Sequence, residues 1–367
     1  MTTVLAMCGQ ERPQQVVVVF VSWRSGAAET MLAGKYLKPQ VVEAVDVPLP
    51  TIDEGEALVK VEACGFCGSD LGIVAGAHPR ARAPLTLGHE FSGRIVEIRN
   101  TSSRLKPGDL VTAYPLISCG QCYVCRHGAP HVCRELRLFG IDVDGGMAEY
   151  VRLPIASLVP LPAQMNPRIG ALVEPLAVAV HGVSMSPIQD PQTAVVIGAG
   201  PIGLLTALVA KARGIPTVLI SDIVPSRVEL ATRLGLRAAP AGEQLAKIVE
   251  QETESEGADV VFECAGVPET AREMTALVRC RGAIVNLGVF KKPAAVDLQA
   301  VNFREITIVG SRVYSRQDFE DAVNLAPLLP LEPIVTHSFP LHQVGAAFEL
   351  FRNGENACKV LIVPDGA

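Results

Sequence analysis

Residues 193–214 read TAVVIGAGPIGLLTALVAKARG: an apolar run, a cluster of glycines and a second, longer apolar run. This order predicts a strand, a tight turn and a helix, the context in which a G-x-G-x-x-G motif binds the pyrophosphate of a dinucleotide. Gly198 makes the turn, Gly200 lets the backbone approach the pyrophosphate, and Gly203 allows the helix to pack closely on the strand. The helix N terminus offers free N–H groups and the positive end of its dipole to the phosphates. The predicted dinucleotide contacts are therefore Gly198, Gly200, Pro201, Ile202 and Gly203.

The acidic partner of this motif is Asp222, 19 residues after Gly203 and at the end of the apolar run TVLIS. A carboxylate at this position accepts hydrogen bonds from the adenosine ribose hydroxyls. It also repels a 2′-phosphate, so the sequence predicts NAD rather than NADP. Arg227 follows closely enough to weaken that preference, or else it covers the adenine or lies in solvent.

From about Val178 the chain alternates between strand-like and helix-like segments, such as TVLISD, SRVELATRLG and ADVVFECAG. Six strands with their crossover helices predict a doubly wound parallel sheet. From Met31 to about Leu153, short β-rich runs alternate with Gly and Pro, which predicts a compact, partly antiparallel, barrel-like domain. The predicted fold class is therefore α/β with two domains, as the length of 367 residues also suggests at roughly 150 residues a domain.

A second signal is the spacing C-x2-C-x2-C-x7-C, formed by Cys119, Cys122, Cys125 and Cys133. Four thiolates this close in sequence can converge tetrahedrally on one soft cation, about 2.3 Å from each sulfur. Disulfides are an alternative, but pairs within C-x2-C are strained and the chain has no convincing export signal. An iron–sulfur cluster is another, because thiolates hold those clusters too. The segment predicts a closed, structural zinc lobe, which stabilises a loop and catalyses nothing.

A different set of metal-binding side chains is scattered through the chain: Cys67 in CGFCGSD, His89 and Glu90 in LGHEF, and Glu174 in ALVEPLAVAVHG. Sulfur, imidazole and carboxylate suit a zinc ion that keeps one position open, and such an ion is a Lewis acid. Each residue alone has a plainer explanation, such as a small buried hydrophobe for Cys67 or an ion pair for Glu174. Spacing alone does not identify this site.

Together these motifs resemble the zinc-dependent medium-chain dehydrogenase/reductase superfamily, in its polyol (sorbitol), 2,3-butanediol and threonine dehydrogenase branch. The resemblance runs from about Met31 to the C terminus and rests on CGFCGSD, LGHEFSGRIVEI, KPGDLV, the four cysteines, DGGMAEYV, EPLAVAVHG, VVIGAGPIGLL and EITIVGSRVYSRQDFEDA, in that order. It implies a GroES-like, β-rich catalytic domain and a Rossmann domain. The implied division is an N-terminal extension over 1–30, a catalytic zinc-binding domain over 31–177, an NAD-binding domain over 178–315 and a return to the catalytic domain over 316–367.

The resemblance also implies roles for individual residues. Cys67 and His89 are expected to bind a catalytic zinc. Glu90 or Glu174 completes the coordination sphere, and Glu174 is the more mobile of the two. Ser69 is expected to take the substrate proton. The backbone expected to border the nicotinamide lies at Cys264, Leu287 and Gly310. With the cysteine lobe, this makes two zinc ions per subunit.

The implied activity is NAD-linked oxidation of a secondary alcohol, diol- or polyol-like, to a ketone by hydride transfer. Amino-alcohol oxidation, as in L-threonine 3-dehydrogenases, or aldehyde reduction is the alternative on the same scaffold, and a catalytically inactive structural relative is a remote one. The chain departs from polyol dehydrogenases after Asp70, where Leu71-Gly72-Ile73 replaces a polar and aromatic run. The substrate is therefore expected to be less hydroxylated than sorbitol. In GSRVY, Arg312 and Tyr314 either contact the substrate or face the core.

The composition argues against several classes of protein. A formal net charge of −6, 5% aromatic residues and the lack of a basic run disfavour nucleic-acid and membrane partners. No apolar stretch reaches the roughly 18 residues of a membrane span, and VVVVFVSW at 16–23 is too short for a signal sequence. Ten cysteines in such a chain indicate reduced thiols and metal, hence a cytoplasmic protein. The expected partners are a small alcohol and further copies of the chain, in a dimer or tetramer.

Overall fold

The computed structural model describes residues 29–100, 103–354 and 356–364. The expected N-terminal extension, with its run VVVVFVSW, lies outside these residues except for Glu29 and Thr30. The strands are β1 (Thr30–Lys38), β2 (Val41–Pro48), β3 (Glu56–Gly65), β4 (Leu85–Thr86), β5 (Glu90–Ile98), β6 (Leu110–Ala113), β7 (Leu116–Ile117), β8 (Arg137–Leu138), β9 (Tyr150–Pro154), β10 (Leu158–Pro160), β11 (Thr193–Ile197), β12 (Thr217–Asp222), β13 (Arg237–Pro240), β14 (Ala258–Glu263), β15 (Val278–Asn286), β16 (Thr307–Gly310), β17 (Val335–Pro340) and β18 (Lys359–Val363). The helices are α1 (Gly68–Val74), α2 (Tyr123–Arg126), α3 (Pro167–Gly170), α4 (Val173–Ser184), α5 (Pro201–Ala212), α6 (Pro225–Arg233), α7 (Glu243–Glu252), α8 (Pro268–Leu277), α9 (Leu298–Phe303), α10 (Arg316–Leu325) and α11 (Val344–Asn353).

Within the described residues, six strands form one parallel sheet in the order β13-β12-β11-β14-β15-β16. Strand β11 lies inside it, with Val195 opposite Leu219 of β12 on one side and Val261 of β14 on the other. All three side chains are at most 3% exposed, as expected where helices cover both faces of a parallel sheet. The strand order reverses between β11 and β14, which is where open α/β sheets bind their ligands. The predicted doubly wound sheet is confirmed.

The remaining strands form a β-rich part. Its largest sheet runs in the order β10-β6-β5-β3-β18-β17, and β9 also pairs with β3. Neighbouring strands in it are antiparallel, except that β17 and β18 run parallel. Strand β18 comes from the end of the chain but pairs with β3, with Ile362 opposite Cys64. This pairing brings Lys359 close to the start of β5.

Helix α4 joins the two parts, because it packs against α5 and α10 and also contacts both β15 of the parallel sheet and β5 of the β-rich part. The domain boundary expected at residues 177 and 178 falls inside this helix. Glu174 lies in its first turn and His181 in its last, about two turns apart and therefore on the same face. In the described parts of the chain, every helix is too short or too polar to cross a bilayer.

Candidate active site and metal sites

A cysteine, a histidine and a glutamate converge in the β-rich part. The Cys67 Sγ, a ring nitrogen of His89 and a carboxylate oxygen of Glu90 lie within 4.8 Å of one another. Cys67 precedes α1, and its backbone N–H donates to Asp70 Oδ2 at 2.8 Å, which fixes the start of that helix. Glu90 begins β5 directly after His89 and the turn at Gly88, whose φ of 93° favours glycine. Three different ligand types are thus held on two adjacent elements.

A buried cation holds Glu90. Its Oε2 lies 2.6 Å from Nζ of Lys359, and the two side chains are only 2% and 3% exposed. The same ammonium donates to the backbone oxygen of Phe66 at 3.0 Å. Burial lowers the pKa of Lys359, but the Glu90 carboxylate raises it above its ordinary value, so the pair is ionic. The other oxygen of Glu90 remains available to a metal.

The other candidate glutamate, Glu174, is not part of the 4.8 Å group. Its Oε1 accepts a hydrogen bond of 2.5 Å from the hydroxyl of Tyr314. Tyr314 is fully buried, and its ring packs against those of Tyr114 and Phe319 at centroid distances of 5.8 and 5.5 Å. Tyr314 is therefore a core-facing ring, one of the two alternatives that the sequence left open, and its hydroxyl reaches Glu174. Its bond restrains the glutamate that was expected to be the mobile one.

The charges around these side chains favour a bound cation. Burial alone would lower the pKa of His89, but the Cys67 sulfur and the Glu174 carboxylate raise it well above its ordinary value. Burial raises the pKa of Glu174 to about 7 and that of Asp70 to about 6, because the carboxylates lose water there. The Nδ1 atom of His89 is buried and has no hydrogen-bond partner within the described residues. Sulfur, imidazole and carboxylate with an unpaired nitrogen fit a zinc ion held by three protein ligands.

Ser69 lies between Cys67 and Asp70 at the start of α1. Its Oγ is buried and has no hydrogen-bond partner among the residues that the structure describes. Such groups are uncommon in folded proteins, where buried hydroxyls are nearly always paired. The hydroxyl is therefore free to exchange a proton with a ligand.

The four cysteines of the second motif lie together in the connection between β7 and β8. Neighbouring sulfurs are 3.4 Å apart for Cys119 and Cys133, 3.5 Å for Cys122 and Cys125, and 3.8 Å for Cys122 and Cys133. None is in a disulfide, and the distances resemble the roughly 3.8 Å edge of a tetrahedron with 2.3 Å metal–sulfur bonds. The backbone N–H of Arg134 donates to Cys122 and lowers the pKa of that thiol, which favours the thiolate. This lobe fits one zinc ion and leaves no coordination position open.

The predicted dinucleotide turn joins β11 to α5. Gly198 has φ of 99°, and a Cβ atom on Gly203 would lie 1.7 Å from the Gly198 oxygen, so nothing larger than glycine fits. A Cβ atom on Gly200 would meet nothing within 4 Å, which leaves space above the turn for a ligand. Pro201 and Ile202 form the first turn of α5. This is the geometry that pyrophosphate binding requires.

Asp222 ends β12 and faces this turn. Its Oδ2 accepts the N–H of Ala199 at 2.8 Å, and its Oδ1 accepts the N–H of Val224 at 2.9 Å. The Arg227 guanidinium approaches Oδ2 only to 3.5 Å. A carboxylate offers about four lone-pair sites, so Asp222 can still accept from ribose hydroxyls.

The other predicted cofactor contacts lie at the carboxyl edge of the parallel sheet, where Cys264 follows β14, Leu287 follows β15 and Gly310 ends β16. The Cys264 thiol donates to Thr206 Oγ1 at 3.8 Å. The Leu287 side chain packs so closely on Gly182 of α4 that a Cβ atom there would lie 2.3 Å away. Both side chains therefore point into the protein, and only their backbone can border a ligand.

Three aliphatic residues at this edge escaped the sequence analysis: Ile223, Val267 and Val289. They are 86%, 41% and 86% exposed and follow the ends of β12, β14 and β15 by one to four residues. Exposed aliphatic side chains at a ligand-binding edge suit contacts with flat rings such as adenine and nicotinamide. Their position just after predicted strands was the signal that could have identified them.

Comparison with known proteins gives two family matches. A model described as an alcohol dehydrogenase GroES-like domain matches residues 53–163, and one described as a zinc-binding dehydrogenase matches residues 201–327. The chain is 35% identical over 336 residues to the 2-dehydro-3-deoxy-L-galactonate 5-dehydrogenase of Pseudoalteromonas atlantica, covering 90% of this chain and 98% of that protein. It is 36% identical to the L-threonine 3-dehydrogenase of Bacillus subtilis, covering 87% and 94%. A solved structure from Sinorhizobium meliloti, bound to NADP, is 33% identical with a TM-score of 0.84, covering 92% of this chain and 100% of that one.

Proposed function

The chain belongs to the zinc-dependent medium-chain dehydrogenases, in the branch of the polyol and threonine dehydrogenases, and we propose that it oxidises a secondary alcohol to a ketone with NAD as hydride acceptor. The observation that carries the proposal is a largely buried group of metal ligands close to the segment that follows the last strand of the parallel sheet. Cys67, His89 and Glu90 form that group. Tyr314, four residues after β16, bonds to Glu174 next to it. The metal ligands and the edge expected to hold the nicotinamide are thereby connected.

In the proposed mechanism, Cys67 and His89 would hold zinc together with Glu90, which lies within the ligand group, whereas Glu174 is bonded to Tyr314. Zinc, when bound there, supplies the Lewis acidity that lets an alcohol lose its proton near neutral pH, and NAD accepts the hydride. The Ser69 hydroxyl would relay the alcohol proton, accepting it while its own proton passes to water, because it is buried at this place and makes no other hydrogen bond to a described residue.

The remaining residues orient these groups. Lys359 neutralises one oxygen of Glu90 and so prevents an excess of negative charge among the ligands. Asp70 fixes the start of α1, which positions Cys67 and Ser69.

The cofactor is proposed to bind along the carboxyl edge of the parallel sheet, with its pyrophosphate over the Gly198–Gly203 turn and its adenosine ribose on Asp222. Lost hydrogen bonds and charge repulsion at Asp222 should favour NAD over NADP by about 1–3 kcal/mol. Initial rates with each cofactor at matched concentration measure this preference. Equal rates would show that Asp222 does not contact the ribose.

We also propose two zinc ions per chain, one in the cysteine lobe and one at Cys67 and His89. The mutual distances of the ligand atoms in each group support this count. Elemental analysis of the purified, active protein tests it. A single zinc per chain would eliminate one of the two sites.

The substrate is tested by a screen for NADH formation over diols, polyols, simple secondary alcohols and L-threonine. The similarity to an L-threonine 3-dehydrogenase keeps amino-alcohol oxidation as the second candidate activity. Cys67→Ser protein serves as the blank, since it lacks one proposed zinc ligand. If the native protein binds NADH and zinc but oxidises none of these alcohols above the blank, the proposed reaction is wrong.

A homo-oligomer is proposed to form through β16, which is one of the two edge strands of the described parallel sheet. Ile308 on this strand is 40% exposed, and Leu298 and Phe303 of the adjacent α9 are 70% and 78% exposed. An exposed edge strand with apolar neighbours is suited to pair with a second copy. Ile308→Asp should therefore lower the mass measured by light scattering, whereas Val96→Asp, at an equally exposed position on β5, should not. A monomeric native protein would contradict the proposal.

A further inference from the structure

Glu263, at the end of β14, is a buried carboxylate to which the proposed mechanism gives no role. It is fully buried, and its Oε1 accepts the backbone N–H groups of Ala265 and Gly266 at 2.9 and 2.8 Å. Thr270 Oγ1 lies 2.7 Å from the same oxygen. Oε2 is buried and has no partner within the described residues. Three donors therefore lie on one carboxylate oxygen, and the other makes no hydrogen bond to a described residue.

Glu263 also lacks the cation that the buried carboxylate of Glu90 has in Lys359. Asp259, near the opposite end of β14 and partly buried, is paired with Arg279. Within residues 29–100, 103–354 and 356–364, the ion pairs include none with Glu263. An uncompensated negative charge therefore lies at the carboxyl end of this strand.

The topology sets which half of a dinucleotide lies near this charge. Strand β14 is the first strand beyond the reversal of strand order, and Asp222 lies on the other side of it, on β12. A dinucleotide that crosses this point with its adenosine on Asp222 has its nicotinamide on the side of β14, β15 and β16. The backbone oxygen of Glu263 also accepts the N–H groups of Leu287 and Gly288 at 2.8 and 2.9 Å. One residue thus shapes both loops expected to border the nicotinamide.

We propose that the charge of Glu263 strengthens the binding of the oxidised cofactor relative to that of the reduced one. NAD⁺ carries a positive charge on its nicotinamide ring and NADH does not, while the rest of the two molecules is the same. A buried, unpaired carboxylate on that side therefore attracts only the oxidised form. At an effective dielectric constant of about 20 and a separation of roughly 10 Å, the interaction of two unit charges changes an equilibrium constant on the order of tenfold. The inference rests on the proposed function, because it requires the NAD site.

The test is Glu263→Gln in the full chain, with dissociation constants measured by titration for NAD⁺, NADH and ADP-ribose. The ratio of the constants for NAD⁺ and NADH should rise about five- to tenfold, because only the charge-dependent attraction is lost. ADP-ribose lacks the nicotinamide, so its constant should change by less than about twofold. An equal change for NAD⁺ and NADH would assign Glu263 a purely structural role and overturn the proposal.

Three further variants separate charge from structure. Glu269→Gln removes an exposed charge six residues along the chain. Thr270→Val removes a hydrogen-bonding neighbour of Oε1 but leaves the charge of Glu263 in place. Both variants should leave the ratio of the dissociation constants for NAD⁺ and NADH unchanged. Glu263→Asp retains the charge on a shorter side chain, and it serves if the Gln variant does not fold. The affinities of Glu263→Asp for NAD⁺ and NADH should fall together. A several-fold change in the ratio of its two dissociation constants would also overturn the proposal. A native protein that binds neither cofactor nor ADP-ribose would instead contradict the proposed function.

Discussion

The cysteine lobe and the Cys67 group are the two proposed zinc sites, and their ligands come together in opposite ways. The lobe takes four identical ligands from 15 consecutive residues, 119–133. The Cys67 group takes three different ligands from two segments and is supported from much further away. Lys359 is 269 residues from Glu90, and Tyr314 is 140 residues from Glu174. The lobe is therefore specified locally, whereas the other site exists only when the whole chain is folded.

The difference in ligands corresponds to a difference in chemistry. Four thiolates fill a tetrahedral ion and leave it no position for a substrate. One thiolate, one imidazole and one carboxylate leave a position open and a larger positive charge at the metal. The comparison implies that changes at the Cys67 group should affect turnover, and that changes at the lobe should affect stability.

The largest effect is expected from Cys67→Ser. Loss of this ligand should lower kcat/KM by about 1,000-fold or more, because the alcohol loses its Lewis acid. Binding of NADH, followed by fluorescence titration, should stay within about threefold, since the glycine turn and Asp222 are untouched. Cys64→Ala is the matched control, being a buried cysteine of the same segment outside the ligand group. Near-normal alcohol oxidation by Cys67→Ser would remove zinc from the mechanism.

The lobe and the glycine turn could be predicted from the sequence because their geometry follows from residues close together in the chain. The roles of Lys359 and Tyr314 could not. Lys359 stands in the strand KVLIV, where a lysine ordinarily faces solvent, and only the pairing of β18 with β3 buries it beside Glu90. Tyr314 reaches Glu174 because α10 packs on α4, a contact that no local pattern encodes. Val289 was missed because its signal is its position just after a predicted strand and not its residue type.

The second largest effect should come from Lys359→Met, which leaves Glu90 buried without its cation. Removing one partner of a buried ion pair destabilises a protein by about 3–5 kcal/mol. Arg99→Met provides the contrast, since its side chain and that of its partner Glu97 are 52% and 46% exposed and the pair should contribute no more than about 1 kcal/mol. Denaturant unfolding of the metal-free proteins measures both. Equal losses of unfolding free energy in the two variants would show that burial does not increase the contribution of the Lys359 ion pair to stability.

A smaller effect on turnover is expected from Tyr314→Phe. The variant leaves Oε1 of Glu174 buried without its donor, and a lost hydrogen bond of this kind should lower kcat/KM roughly tenfold. Tyr114→Phe is the control from the same aromatic cluster, because its hydroxyl only approaches the backbone oxygen of Tyr314 at 3.4 Å. Zinc content should be normal in both. A Tyr314→Phe enzyme as active as the native one would mean that the orientation of Glu174 does not limit the reaction.

The smallest effect on turnover is expected from the lobe variant Cys122→Ser. It should lose about one zinc per chain, and the melting temperature should fall by roughly 5 °C or more, because a thiolate site forms only in the folded loop. The protein that remains folded should turn over within about threefold of the native rate, since a closed site touches neither alcohol nor cofactor. One contact connects the lobe to the helix that carries Glu174. The ring of His131 in the lobe packs edge-on against that of His181 in α4, with their centroids 5.0 Å apart, and His181 lies two turns from Glu174. If folded Cys122→Ser protein with one zinc lost activity as completely as Cys67→Ser, the lobe would be acting on the catalytic group through α4, and the separation of the two sites would be wrong.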